Sequence, residues 1–187
     1  LPAGHVIGEP IRRDTAAAVA LAAVLVRERF GDSVILTLTA DHLIEPTDLF
    51  QQDLLSAARQ VAAADVFYTF GIKPTYPATA YGYLETGAAI VDDGGIEHFE
   101  LQQFKEKPDL ETARRYVDSG RFLWNSGMFV WKAAPILGEI RTWLPGHYDA
   151  LRPLGGYDGT PRWQQALENA FAGIRPISID YGVMEKT

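Results

Sequence analysis

Val34-Ile35-Leu36-Thr37-Leu38-Thr39, followed at once by Ala40-Asp41-His42, decides the fold class. The run is short, apolar and rich in β-formers, and it follows a helical stretch, which predicts a strand buried on both faces. Upstream, Asp14 or Thr15 can cap a helix through the Ala-rich stretch to about Phe30, with Gly31 as its stop. Downstream, Asp48 caps a second helix to about Ala64, and residues 66–70 form the next strand, stopped by Gly71. This alternation predicts an α/β fold with a Rossmann-like, doubly wound, mostly parallel sheet and helices on both faces.

The middle of the chain breaks that rhythm. Residues 81–85, 89–91 and 96–104 read as shorter strands split by Asp92-Asp93-Gly94-Gly95, a turn between antiparallel neighbours and hence a small antiparallel insertion. Asp109 caps a helix to Val117 with Gly120 behind it. Residues 127–132 read as a strand, 135–143 as a helix, 155–161 as a loop, 162–171 as a helix, and 177–179 as extended chain.

The bulk numbers bound the function. With 187 residues, 47% hydrophobic and 22% charged, the chain can bury a sizeable core as one domain, 1–187. A net charge of −7 without a basic stripe argues against nucleic acid, so single Lys and Arg residues near loops gain weight as anion contacts. The absence of cysteine excludes thiolate metal sites and fits a reducing, cytoplasmic compartment. No apolar stretch is long enough to span a bilayer.

Several polar residues occupy positions suited to ligands. Asp41 closes a predicted strand, where ligands of open α/β sheets bind; it can serve as a Mg²⁺ carboxylate or equally as an Asx turn. Residues 9–16 (Glu-Pro-Ile-Arg-Arg-Asp-Thr-Ala) lead into a helix N-terminus, where an anion or polar ligand edge, or plain capping by Asp14 and Thr15, is expected. Gly82 between Tyr81 and Tyr83 allows close approach of a ligand to the backbone, or marks a bulge. Taken alone, Phe104-Lys105-Glu106-Lys107-Pro108 reads as the charges of a solvated strand, and Trp124-Asn125-Ser126-Gly127 either as an amide seeking a partner or as core aromatics flanking a turn; together they bring an ammonium, a carboxylate and an amide to what Pro108 and Gly127 mark as loop mouths. Lys suits a phosphate, and Glu and Asn suit hydroxyls. His5, His42, His98 and His147 lack metal-ligand spacing and read as structural or exposed.

Taken in order, these segments resemble the bacterial mannose-1-phosphate guanylyltransferases, or GDP-mannose pyrophosphorylases. The segments are Glu9-Pro10-x-x-Arg13-Asp14-Thr15-Ala16, Ala40-Asp41-His42-Leu43-Ile44, and Gly71-Ile72-Lys73-Pro74-Thr75 leading to Tyr81-Gly82-Tyr83. They continue with Phe104-Lys105-Glu106-Lys107-Pro108-Asp109, Trp124-Asn125-Ser126-Gly127-Met128-Phe129, and residues 178–186. The Glu-Lys-Pro segment is common to sugar nucleotidyltransferases; the Glu-Pro and Trp-Asn-Ser-Gly segments narrow the match to the mannose/GTP branch.

The resemblance implies in-line attack of mannose 1-phosphate on the α-phosphorus of GTP, giving GDP-mannose and pyrophosphate with no covalent enzyme intermediate. It implies Mg²⁺ as cofactor, GTP and mannose 1-phosphate as partners, no nucleic acid and no membrane, and it admits a homodimer. By analogy Asp41 holds Mg²⁺ and Lys107 the sugar phosphate. Glu106, Asn125 and the Gly82 backbone hold sugar hydroxyls, Glu9, Asp14 and Thr15 lie near the guanine and its ribose, and Lys186 points into the same cleft.

The sequence departs from the family pattern. The family usually has Asn at Asp14, Pro at Thr39, and Glu-Thr-Gly where Ala78-Thr79-Ala80 stand. Its opening strand and glycine-rich phosphate loop would precede Leu1, and its second Mg²⁺ carboxylate would follow Thr187. The expectation is therefore a domain cut at both ends and inactive alone. The alternatives are an inactive sugar-phosphate- or nucleotide-binding regulatory domain, or a nucleotidyltransferase for another sugar 1-phosphate.

Overall fold

The computed structural model describes residues 5–91 and 94–187. Two compact units emerge: Val34–Lys132, built on a sheet, and the residues up to Ser33 joined by Ala133–Thr187, built from helices. No described helix is long and apolar enough to cross a membrane.

The sheet unit contains β1 (Val34–Thr37), α2 (Thr47–Ala63), β2 (Tyr68–Ile72), β3 (Tyr83–Val91), β4 (Glu97–Lys105), α3 (Leu110–Ser119) and β5 (Phe122–Lys132). The α/β class holds, as does the antiparallel β3–β4 hairpin. Of the hairpin's predicted turn, Asp92 and Asp93 lie outside the described residues. The three short middle strands are in fact two strands of nine residues each.

The neighbours in the sheet differ from the mostly parallel prediction. Among the described residues every pairing is antiparallel. At Val130, β5 is paired with both Leu36 of β1 and Tyr68 of β2; at Trp124 it is paired with both Tyr83 of β3 and Ile72 of β2. Strands β1 and β2, joined by α2, do run the same way, because both oppose β5. The reversed strand β5 lies between them, and nothing in a local helix–strand rhythm encodes that insertion. The predicted double burial of β1 fails as well: the strand ends the sheet order, and Leu36 is 42% exposed and Leu38, just past the strand, 48%.

Two small clusters fasten helices to this sheet. Ala57 and Val61 of α2 pack on Val130, flanked by Val34, Tyr68 and Phe70. Ala113 of α3 packs with Ala78, Tyr83, Phe122 and Trp124. The Tyr83 hydroxyl donates to Ala78 O at 2.9 Å, so its buried polar tip is satisfied. With Ala113 fully buried, a larger residue there would overpack at a cost of about 1–3 kcal/mol. Helix α3 keeps both predicted ends: Asp109 accepts from Thr112 N at 2.8 Å, and Gly120 turns left-handed at φ 69°. Asp48, by contrast, lies inside the first turn of α2 and is not its cap, because that helix starts one residue earlier, at Thr47.

The helical unit holds α1 (Asp14–Phe30), α4 (Ala133–Trp143), α5 (Pro145–Leu151) and α6 (Trp163–Ala172). A 3₁₀ turn spans Arg152–Tyr157 and a π-helical turn spans Asp180–Met184, where the sequence suggested loop and extended chain. Helix α1 is polar mainly at its ends and buries eight residues, including Ala16, Ala17, Ala20 and Ala23. Such small side chains let neighbouring elements approach closely, and α1 packs against α4, α5 and the 3₁₀ turn. Arg29 clamps Asp158 with two hydrogen bonds, one of 2.7 Å, tying the end of α1 to the chain after that turn.

Candidate functional site

Strand β5 sends successive side chains in different directions. Trp124 enters the core cluster, whereas Asn125 turns toward Gly82. Asn125 N donates to Gly82 O at 2.8 Å. A Cβ built on Gly82 would fall against Glu106 Oε2 and 3.2 Å from Asn125 Cβ, so a larger residue there would displace the Glu106 carboxylate from its present place. Glu106 follows the last residue of β4, and Lys107 pairs with its Oε1. The Glu106 side chain is 7% exposed and that of Lys107 49%, so a buried carboxylate carries an ammonium that reaches solvent. Four predicted residues, Gly82, Glu106, Lys107 and Asn125, are thereby brought together.

Asn125 is not at a loop mouth, as its neighbouring glycine suggested. It sits inside β5, which continues through Gly127 at φ 72°. The Asn125 side chain accepts from Gly127 N at 3.1 Å. That contact replaces a ladder bond, so the glycine kinks the strand without ending it, and pairing with β2 shifts between Thr69 and Gly71.

A second group lies in the helical unit. Glu9, Arg12, Asp14, Thr15, Ala18 and Pro176 line an open cavity of about 550 Å³ at the N-terminus of α1. Desolvation holds the Glu9 carboxyl above its ordinary range. Asp14 Oδ1 accepts from Thr15 N at 2.8 Å, and the Thr15 hydroxyl accepts from Ile179 N at 2.8 Å. Neither side chain closes the helix by the usual N-cap bond; Arg13 holds the cap position. Arg13 has its own task. Its Nε donates to Phe171 O at 2.8 Å and its Nη2 to Ala172 O at 3.2 Å, so a cation satisfies the last carbonyls of α6. Nothing in the order of residues signals that long-range cap.

Among the described residues only two non-glycines have positive φ: Asp14 at 63° and Lys107 at 43°. Both belong to the groups just described. Strained backbone of this kind costs of order 1–3 kcal/mol and collects where geometry serves a ligand.

Asp41 follows β1 in a turn, exposed, and its carboxylate has no hydrogen bond or ion pair among the described residues. Thr39, two residues before it, lies 3.7 Å from a Cβ built on Gly127, which puts the start of that turn beside the kink in β5. No group of three or more His, Asp or Glu residues suited to a metal occurs among the described residues. Lys186 Nζ donates to Gly182 O at 3.3 Å and lies 5.8 Å over the Trp143 ring. The histidines divide as expected: His98 is buried with Ser56 at 2.9 Å and His147 is buried on Arg175 O at 3.1 Å, whereas His5 and His42 are exposed.

Residues 4–152 match the family model described as nucleotidyl transferase. The chain belongs to the nucleotidyl transferase family. Within it, the chain is 39% identical over 186 residues to mannose-1-phosphate guanylyltransferase of Escherichia coli K12, covering 98% of this chain and 39% of that protein. It is 40% identical over 185 residues to mannose-1-phosphate guanylyltransferase of Sinorhizobium fredii, covering 97% of this chain and 35% of the relative. The chain thus spans well under half the length of these relatives. Its fold matches the crystal structure of mannose-1-phosphate geranyltransferase from Thermus thermophilus with a TM-score of 0.80 and 34% identity, over 96% of this chain and 49% of that one. The nucleotidyl transferase match covers the whole sheet unit and, in the helical unit, α1, α4 and α5.

Proposed function

We propose that this chain carries substrate-binding parts of a mannose-1-phosphate guanylyltransferase, which joins mannose 1-phosphate to GTP. A phosphate oxygen of the sugar phosphate attacks the α-phosphorus of GTP in line; the bond to the β-phosphate bridging oxygen breaks, and pyrophosphate leaves. The observation that carries the reading is the convergence of Gly82, Glu106, Lys107 and Asn125 in a chain whose relatives bear that name. Glu106 and Asn125 receive sugar hydroxyls beside the open Gly82 backbone, and the exposed Lys107 ammonium meets the phosphate. In the helical unit, a Glu9 carboxylate can accept from the N1–H and N2–H₂ donors of guanine, an edge that adenine lacks, while Asp14 and Thr15 face the ribose. Lys186 lends further positive charge toward phosphate.

Asp41 fits a Mg²⁺ carboxylate: it is a hard oxygen donor, exposed and unengaged, and Mg²⁺ takes one or two carboxylates together with substrate phosphates. Bound there, Mg²⁺ would supply charge neutralisation to the phosphates. The chain's own share is alignment of the sugar phosphate by Lys107, Glu106 and Asn125, with no covalent step. The cysteine-free composition agrees with a cytoplasmic site for this reaction.

The test is direct binding and turnover. Mannose 1-phosphate should bind the chain and lose affinity in Lys107→Ala; in a longer protein carrying this chain, pyrophosphate release should require mannose 1-phosphate and prefer GTP to ATP. Equal turnover with glucose 1-phosphate and dTTP would reassign the substrate pair; failure of every sugar phosphate and nucleotide to bind would sink the reading.

A further inference from the structure

The polar residues that line the cavity at the start of α1 fall into two kinds. Asp14 and Thr15 are bonded within the unit, Asp14 Oδ1 to Thr15 N and the Thr15 hydroxyl to Ile179 N. The neighbouring Arg13 is spent on Phe171 O and Ala172 O. Glu9 and Arg12 differ. Both are exposed, and neither makes a hydrogen bond or an ion pair among the described residues. They carry opposite charges on either side of the bend at Pro10 and Ile11, and they line the same cavity of about 550 Å³ without closing on one another. Desolvation alone acts on the Glu9 carboxyl, and no neighbouring cation draws it back down. One cavity wall thus offers a two-oxygen acceptor and a forked donor, both open to a ligand.

We infer that Arg12 is a specificity-determining residue for the base: its guanidinium donates to O6 and N7 of the guanine whose N1–H and N2–H₂ donate to Glu9. The planar fork of an arginine spans those two acceptors, which is why this pairing is the commonest specific contact to guanine. Adenine reverses the pattern. Its N6–H₂ meets the guanidinium donor against donor, and its N1 meets the carboxylate acceptor against acceptor. The two side chains therefore choose guanine by attraction and refuse adenine by repulsion. The inference rests on the guanine reading of this cavity, and it assigns the half of the base that Glu9 leaves unread.

Calorimetric titration of the chain compares wild type, Arg12→Ala and Arg12→Lys against GTP, 7-deaza-GTP, ITP and guanosine. The deaza analogue lacks N7; ITP lacks the N2 amino group and keeps O6 and N7. Wild type should bind 7-deaza-GTP about three- to tenfold more weakly than GTP. In Arg12→Ala, GTP should lose about tenfold, guanosine should lose a similar factor, and the deaza penalty should shrink to within about twofold. ITP should stay weaker than GTP in that variant, because Glu9 still accepts from N2–H₂. Arg12→Lys keeps the charge without the fork and should track Arg12→Ala to within about threefold. A deaza penalty that is missing in wild type, or that survives in Arg12→Ala, overturns the inference. A loss for GTP with guanosine unmoved, restored by Arg12→Lys, puts the guanidinium on a phosphate and overturns it too. The exposed, unbonded Arg12 side chain lets both variants melt with wild type. If wild type prefers GTP to ATP while the Arg12 comparisons fail, only this inference falls; if wild type binds no guanine ligand, the guanine reading fails and takes it along.

Discussion

The two groups of candidate site residues are built on opposite plans. In the sheet unit, Gly82, Glu106 and Asn125 converge because adjacent strands bring them there, and their local bonds stay within neighbouring strands. In the helical unit, residues 9–15 are pinned from far along the chain, by Phe171 and Ala172 on Arg13 and by Ile179 on Thr15. The first group is a cluster of side chains set by strand pairing. The second is a helix end whose side chains spend much of their bonding capacity on architecture. Substitutions should therefore separate: in the sheet unit they should change sugar-phosphate binding with little loss of stability, and at Arg13 of the helical unit the reverse.

The largest effect expected is at Gly82. A methyl group there meets Glu106 Oε2 and Asn125 Cβ, so Gly82→Ala should lower mannose 1-phosphate affinity about a hundredfold by displacing the carboxylate. Calorimetric titration together with a thermal melt checks it; a matching collapse in Tm would mean the convergence is structural. Next, Lys107→Ala should weaken mannose 1-phosphate binding about ten- to a hundredfold, because its half-exposed ammonium is the group of this pair that can reach a phosphate. An unchanged affinity removes it from the phosphate.

On the helical side, Arg13→Ala should destabilise by about 1–2 kcal/mol through the uncapped end of α6, lowering Tm by several degrees. Sugar-phosphate affinity should stay as it was; a large change there with an unmoved Tm would erase the contrast. The smallest effect concerns pH. Burial pushes the His147 imidazole below its ordinary value, opposed by its bond to Arg175 O. The unfolded chain therefore takes up that proton first as pH falls. Stability is unaffected above the ordinary histidine range, and it drops between that range and the lowered folded value. Wild type should lose Tm in this window relative to His147→Gln, and parallel pH profiles of the two would show that burial there does not control the proton.

How much of this could be read from the residues depends on how far each determinant reaches. Helix α3 was legible at both ends because Asp109 and Gly120 act within one turn, and α1 stops at Gly31 for the same reason. The cluster around Glu106 was legible as chemistry, since Lys, Glu and Asn in two short segments already suggest a phosphorylated hydroxyl compound. The sheet order was not, because the partner of β1 and β2 lies far downstream in β5. Gly127 misled for a local reason: a left-handed glycine marks a turn when the chain reverses and a kink when a side chain takes over its N–H, as Asn125 does. The task of Arg13 was missed because its contact, 158 residues away, leaves no trace in spacing.

The crowded position of β5 has a kinetic consequence. Paired on one edge with β2 and on the other with β1 and β3, this strand cannot fray by itself, so the Asn125 main-chain amide, bonded to Gly82 O, should exchange with solvent only when the sheet opens. If Asn125 recognises the sugar as proposed, it is a group already ordered before its ligand arrives. Its association then costs little entropy at Asn125, and discrimination between ligands should appear mainly in how long each one stays.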